Sequence, residues 1–461
     1  MARTRALVVG LDCAAPHLVF GPYVRSMPHL ARLMERGVHG PLRSSVPPIT
    51  VPAWTCMFSG RDAGELGLYG FRNRVRGSYA LTPVRGDDVR EKRVWDSLGE
   101  AGLRVAPLFV PPSNPPPGVR GVSAGCFLLP KGARPWTFPP SVGERLEARF
   151  GAYENDMTVH GDHVEPESVR DALWRMSAQH FDMAADVWAN DDPDLLAFVD
   201  IGVDRFQHVF FEHMDPTHPR HDPTSPWNAE GERYFAHLDR KLGELLEVVG
   251  ADTHVFVVSD HGARPLQGSV RINQWLVDNG WLALKDRPAP NHAVTPEHID
   301  WRNTRAWGEG GYYARVWLNV AGREPEGTIA PGDFERTRDA LRRELLTIET
   351  PTTTAPHRIL APDECFRAAR GVPPDLMVFF GNLALRSLGT LGAGEVFTTE
   401  NDRGADACNH DWDGMFVAAG PKLTARGPFD GASLFDVGAT LASIFDVTRP
   451  TGTLGQDWSQ R

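Results

Sequence analysis

The chain has 461 residues, 41% hydrophobic and 23% charged, with a formal net charge of −11. This length predicts a large core domain with insertions, and the composition is that of a globular enzyme, not of a disordered or fibrous chain. No apolar run approaches the roughly 20 residues that cross a bilayer, the negative charge disfavours a nucleic-acid polymer as partner, and five scattered Cys without a C-x-x-C pair argue against a disulfide framework or a Cys-based zinc site.

The first element is "ALVVGLD", an apolar run that ends on Asp12. It reads as a buried strand. A signal peptide would need a longer apolar stretch and a small-residue cleavage site, so the expectation is a cytoplasmic protein without membrane contact. "MPHLARLMERGVHG" follows as a helix, with Pro28 near its start and Gly37 as its C-cap. "SSVPPITVPAWTCMFSG" places Thr50 between Pro48 and Pro52, just ahead of a helix expected to begin near Ala53. "RVWDSLGEAG" and "LRVAPLFV" repeat helix then strand. "DLLAFVDIGVD" and "THVFVVSDHG" are two further apolar runs, too continuous for half-exposed strands. "ASLFDVGATLASIFDV" closes the pattern as an amphipathic helix, with Leu434, Val437, Leu441 and Ile444 on one face.

Such alternation predicts an α/β fold, a mostly parallel sheet covered by helices on both faces. Two Pro- and Gly-rich or polar stretches interrupt it. The expected organisation is therefore a core of residues 1–110, 176–284 and 396–461, a first insertion over 111–175, and a second insertion or small lobe over 285–395.

Asp12, Asp204 and Asp260 each end an apolar run. In a parallel sheet the strand C-termini share one edge, and ligands bind outside it. Acids gathered there repel one another unless cations neutralise them. "DRFQH" sets Asp204 and His208 four apart, one face of a helix. "SDHG" adds His261 beside Asp260, and "NHDWDGMFVAAG" adds His410 before another apolar run. Each motif alone has a plainer reading as a surface pair, a turn or a cap. Together they form an N/O ligand set suited to Zn²⁺, Mn²⁺ or similar ions. Thr50, at a helix start where backbone N–H groups bind phosphate, is the candidate nucleophile. Ser44, Ser45 and Thr55 are rival hydroxyls, and no general base is evident beside any of them, so metal coordination is the expected activator.

These motifs resemble the alkaline phosphatase superfamily, and most closely its type I phosphodiesterase/nucleotide pyrophosphatase branch with its bacterial phosphohydrolase and phosphomutase group. "GLD", "PPITVPAWTCMFSG", "VPPSNPPPGVRGVSAGCFLLP", "DRFQHVFFEHMDPTHP", "SDHG", "INQWLVDNGWL", "LNVAGREPEG" and "HDWDGMFVAAGP" carry the resemblance, in family order over nearly the whole chain. It implies an alkaline-phosphatase-like three-layer α/β/α sandwich with inserted cap segments. It implies two divalent metal ions, chiefly Zn²⁺ with Mn²⁺ or Mg²⁺ as alternatives: one held by Asp12, Thr50, Asp260 and His261, the other by Asp204, His208 and His410. It further implies hydrolysis of a small-molecule phosphoester through a phosphothreonine at Thr50. Where the nucleotide pyrophosphatases place a phosphate-contacting Asn this chain has Ala53, and Leu66 replaces a family His. The resemblance thus implies the metal centre and the nucleophile but not nucleotide specificity. A phosphomonoesterase, a phosphomutase or phosphotransferase, and a catalytically inactive metal-containing binding protein are the alternative readings. Sulfatase chemistry is disfavoured, because Thr50 cannot become the aldehyde that branch uses.

Overall fold

The structure is a computed structural model that describes residues 3–157, 165–400 and 406–460. Residues 158–164 of the first expected insertion, and 401–405, lie outside the described residues. The centre is a sheet of ten strands among the described residues. Its middle is formed by β1 (Ala6–Leu11), β2 (Val38–Arg43), β3 (Val105–Leu108), β4 (Leu195–Asp200) and β5 (His254–Val258). β1 lies between β4 and β5, parallel to both, and β4 continues in parallel to β3. Every residue of β1, β3, β4 and β5 is buried. This explains their unbroken apolar sequences, because strands covered on both faces have no solvent side to alternate towards.

Alternate side chains of β1 serve two different cores. Leu7, Val9 and Leu11 pack with α1 (Pro28–Arg36), α4 (Pro166–Asp191), α5 (Gly202–Met214) and α6 (Glu230–Val249). Ala6 and Val8 pack with α2 (Thr50–Ser59), α3 (Val94–Glu100) and α7 (Phe435–Ile444). The result is the expected α/β/α sandwich, in which each buried Leu, Val or Phe contributes about 1.5–3 kcal/mol.

One long strand runs against the others. After β6 (Gly262–Pro265), a four-stranded antiparallel sheet is built from β7 (Ala306–Glu309), β8 (Ala314–Leu318), β9 (Arg358–Leu360) and β10 (Leu376–Phe379). It has its own apolar core around Trp307, Trp317, Leu341 and Phe380. The chain then returns through β11 (Cys408–Asp411), antiparallel to β6, and β12 (Asp413–Ala419), antiparallel to both β2 and β5. Because β12 is reversed, its first residues lie at the rim where β1, β4 and β5 end. β2, antiparallel to β12, also ends at that rim. Among the described residues no helix is long and apolar enough to cross a membrane.

Two local expectations need correction, and a third holds for a different reason. β4 stops at Asp200, and Asp204 sits in the first turn of α5. The apolar letters of "DIGVD" continue across a strand-to-helix junction, where periodicity over five residues cannot separate the two. α2 starts at Thr50 and not near Ala53. A Pro within the first helical turn is tolerated because its missing N–H would have no intrahelical partner there. Gly37 is the C-cap of α1, as expected, its N–H donating to Met34 O, but it is extended and not left-handed, with φ −143 and ψ −162. It is small for another reason: a Cβ there would collide with the backbone of Ala418.

Candidate active site

The rim gathers all seven predicted residues. Asp12 directly follows β1, Asp260 and His261 follow β5, and Thr50 opens α2 a few residues beyond β2. Asp204 and His208 project from one face of α5, as their spacing requires, and His410 lies on β11 opposite Ala263. Each is buried.

Two groups of atoms form. In the first, His261 Nε2 lies 3.3 Å from Thr50 Oγ1, 3.3 Å from Asp260 Oδ2 and 3.6 Å from Asp12 Oδ1. In the second, Asp204 Oδ1 lies 3.3 Å from His208 Nε2 and 3.6 Å from His410 Nε2. The ligand atoms of Asp204, His208 and His410 lie within 4.8 Å of one another, and so do those of Asp12, Asp204 and His261, so Asp204 joins the groups. The rings of His261 and His410 stack with centroids 3.7 Å apart.

Hydrogen bonding tests whether this set fits a cation. His208 Nδ1 meets Asp406 Oδ1 at 2.7 Å, His410 Nδ1 meets Pro48 O at 2.9 Å, and His261 Nδ1 meets Gly262 O at 3.2 Å. Carbonyl and carboxylate oxygens only accept, so each Nδ1 carries the proton and each Nε2 turns a lone pair inward. Asp12 Oδ1, Asp204 Oδ1, Asp260 Oδ2, His208 Nε2 and His410 Nε2 are all buried without a hydrogen-bond partner among the described residues. Each would cost roughly 1–3 kcal/mol if uncompensated. Unpaired acceptors converging on a shared space are what a divalent cation requires, and the residues fit one.

The electrostatics agree for His261 and His410 but not for His208. There burial opposes the charge, yet Cys408, Tyr312, Asp406 and Asp204 outweigh it and hold the imidazole well above its usual range, so a bound cation must displace its Nε2 proton. Burial pushes the Asp12 and Asp260 carboxyls well up, reinforced by Asp204 beside the first and Asp12 beside the second. Burial opposes the charge on Asp204 too, but His208, Arg205 and His410 outweigh it and hold that carboxyl well below the usual range. Burial lowers His261 to about 4 and, with His261 as neighbour, pushes His410 well down, so both imidazoles are neutral bases.

Several supporting residues were not singled out from the sequence. Trp54 Nε1 donates to Asp12 Oδ2 at 2.7 Å. It lies four residues after Thr50, on the same face of α2. Arg205 donates to Asp204 Oδ2 at 2.7 Å and is itself held by Asp156. Asp406 receives His208 and pairs with Arg386. Tyr312 stacks on His410 at 3.7 Å and 21°. The readable signal for Tyr312 was "GEGGYY", the β7–β8 hairpin tip, whose glycines let the backbone pack against residues 387–389.

Between this rim and the four-stranded sheet lies a cavity of about 880 Å³, whose walls include Ile49, Phe71, Arg315, Tyr312 and Arg386. It is of the size that takes a small organic ligand.

An α/β sandwich with a buried Asp/His cluster and a helix-borne Thr at the carboxyl rim of its sheet is the arrangement of the alkaline phosphatase superfamily. Within it, the profile of the family described as type I phosphodiesterase / nucleotide pyrophosphatase matches residues 6–385, and the chain belongs to that family. No curated protein sequence matches the chain. Among solved structures, phosphonoacetate hydrolase from Sinorhizobium meliloti in complex with phosphonoacetate aligns at 16% identity and a TM-score of 0.59, over 96% of this chain and 95% of that one. Murine ectonucleotide pyrophosphatase/phosphodiesterase 5, an inactive variant in complex with AMP, aligns at 14% identity and a TM-score of 0.54, over 99% of this chain and 98% of that one. At such identities the likeness is one of fold.

Proposed function

We propose that this protein is a metal-dependent phosphodiesterase-like hydrolase of small-molecule phosphoesters, with Thr50 as nucleophile. The observation that carries the reading is Thr50 Oγ1: buried, at the first position of α2, and 3.3 Å from His261 Nε2 within the converging ligand set. Asp12, Asp260, His261 and Thr50 would hold one divalent cation, and Asp204, His208 and His410 a second. The N/O donors suit Zn²⁺ first, with Mn²⁺ or Mg²⁺ as alternatives. The chemistry supplied by such cations is neutralisation of the carboxylates, acidification of the Thr50 hydroxyl, and stabilisation of charge on the entering and leaving oxygens.

The chain's own residues do the rest. Thr50 Oγ1 forms a bond to phosphorus as the ester oxygen departs, and the hydroxyl proton ends on the leaving alcohol. Water then adds to the phosphothreonine, restores the Thr50 hydroxyl and releases the remaining phosphate. Trp54 fixes Asp12, and Asp406 fixes His208, so neither ligand must reorganise during the reaction. The cavity walls that would select the alcohol come mainly from residues 69–83, 293–317 and 386–390. The relatives support the substrate class: one was solved with AMP and another with phosphonoacetate, both small phosphorus-containing anions. The test is a turnover screen of phosphate diesters, monoesters and sulfate esters with each metal. Failure to cleave any phosphoester with any of the three metals refutes the proposal.

A further inference from the structure

Three features define what lies above the cluster. First, the Tyr312 ring is held by two neighbours, with His410 stacked at 3.7 Å and the Arg386 guanidinium over the ring 5.2 Å from its centroid. Second, its backbone is pinned: Asn409 Nδ2 donates to Tyr312 O at 3.1 Å, and Gly311 bridges to Ser387. A Cβ on Gly310 would collide with Gly389, so the turn has no space for a larger residue. Third, Tyr312 lines the cavity and is only half-buried, and its hydroxyl has no hydrogen-bond partner among the described residues. A phenol held this firmly against His410, in the cavity wall and with its hydroxyl unpartnered among the described residues, is positioned for a ligand.

The other polar side chains around Thr50 are engaged. Val51, Pro52 and Ala53 give the first turn of α2 no polar side chain beyond Thr50, and Ala53 N–H donates to Ile49 O at 2.9 Å. Ser44 Oγ donates to Asp260 O at 2.6 Å and Ser45 Oγ to Pro47 O at 2.7 Å. Asn409 Nδ2 donates to three backbone carbonyls. Arg205 is held by Asp204 and Asp156, and Arg386 is paired with Asp406.

We propose that the Tyr312 hydroxyl donates a hydrogen bond to a non-bridging oxygen of the phosphoryl group, making Tyr312 a catalytic residue contributed by the inserted hairpin. A phenol is a donor at neutral pH, and a donor aimed at an anionic oxygen in a water-poor site is worth more than one in solution. The proposal rests on the hydrolase reading for its substrate, but it can be measured without turnover.

The test is Tyr312→Phe in the metal-loaded protein, which keeps the ring and removes only the hydroxyl. Metal content and melting temperature should match wild type. The dissociation constant for inorganic phosphate, by calorimetry, should rise at least tenfold, and kcat/KM for bis(p-nitrophenyl) phosphate should fall about 10- to 100-fold. Tyr312→Ala should weaken phosphate binding at least as much, with additional loss of metal as His410 loses its stacking partner. A phosphate affinity within twofold of wild type in Tyr312→Phe overturns the proposal. So does a loss that is matched by lost metal, because the residue then acts through His410. A wild type that binds phosphate yet cleaves no ester refutes the hydrolase reading alone, and the phosphate comparison still decides the role of Tyr312. A wild type that binds no phosphate refutes the Tyr312 contact.

Discussion

Replacing Thr50 with Ala separates nucleophile from scaffold more sharply than any other single change. The structure bounds its cost in stability. Thr50 is buried, but among the described residues its hydroxyl meets only His261 Nε2, and it does not cap α2, whose N-cap is Ile49 with no side-chain bond. The substitution therefore removes one buried methyl, about 0.8 kcal/mol, and a hydroxyl whose one contact is long. Ala returns a few tenths of a kcal/mol through helix propensity. The expected net loss is about 1 kcal/mol, visible as a small shift in melting temperature. Turnover should fall by at least about 10³, equivalent to roughly 4 kcal/mol of transition-state stabilisation. Thr50→Ser should retain part of the rate, since the hydroxyl survives on a less restricted rotor. The assay pairs steady-state cleavage of bis(p-nitrophenyl) phosphate with rapid acid quenching and mapping of the phosphorylated residue. Phosphate found on Ser44, Ser45 or Thr55 would refute the assignment. A Thr50→Ala variant as fast as wild type would do so too, and would point to direct attack by water.

His410→Ala should lower activity and remove mainly the metal held with Asp204 and His208; elemental analysis showing full metal content at wild-type rate would make His410 a bystander. Asp406→Asn keeps the shape beside His208 Nδ1 but removes the charge that orients it, so metal affinity should fall about 10- to 100-fold, read by competition with a chromophoric chelator. The gain in melting temperature on adding Zn²⁺ to chelator-treated protein should grow from pH 5 to pH 8. Burial raises the Asp12 and Asp260 carboxyls above their unfolded values, so without metal the stability they contribute is lost as pH rises through the folded value, and a bound cation reverses that loss; a metal-induced gain that shrinks with pH contradicts this. Gly310→Ala should disturb the β7–β8 hairpin tip, because its Cβ would collide with Gly389 backbone, and reduce kcat/KM while leaving metal content intact; wild-type kinetics would show the tip to be irrelevant.

The sequence by itself determined the elements whose physics is local. β1, β4 and β5 were legible because a strand buried on both faces must be apolar throughout, and Asp12, Asp260 and His261 followed from where those runs end. Asp204 and His208 were legible as a pair because four residues is one helical turn, although the helix boundary was not: "VDIGVD" carries no period that tells strand from helix. The start of α2 was missed for a similar reason, since Pro52 reads as a stop when it is in fact a tolerated first-turn residue. His410 before an apolar run and Thr50 at a helix start were candidates from local pattern, the latter among rival hydroxyls, and motif order then assigned their roles through resemblance. Only the tertiary structure decided the rest. β12 runs antiparallel, and that reversal carries β11 and His410 to the rim where the parallel strands end. Trp54 on Asp12, Asp406 on His208 and Tyr312 on His410 join residues 42, 198 and 98 positions apart. No periodicity or propensity spans such separations. Which buried acceptor remains without a donor, and which hydroxyl remains without an acceptor, depends on every chain segment that reaches the site.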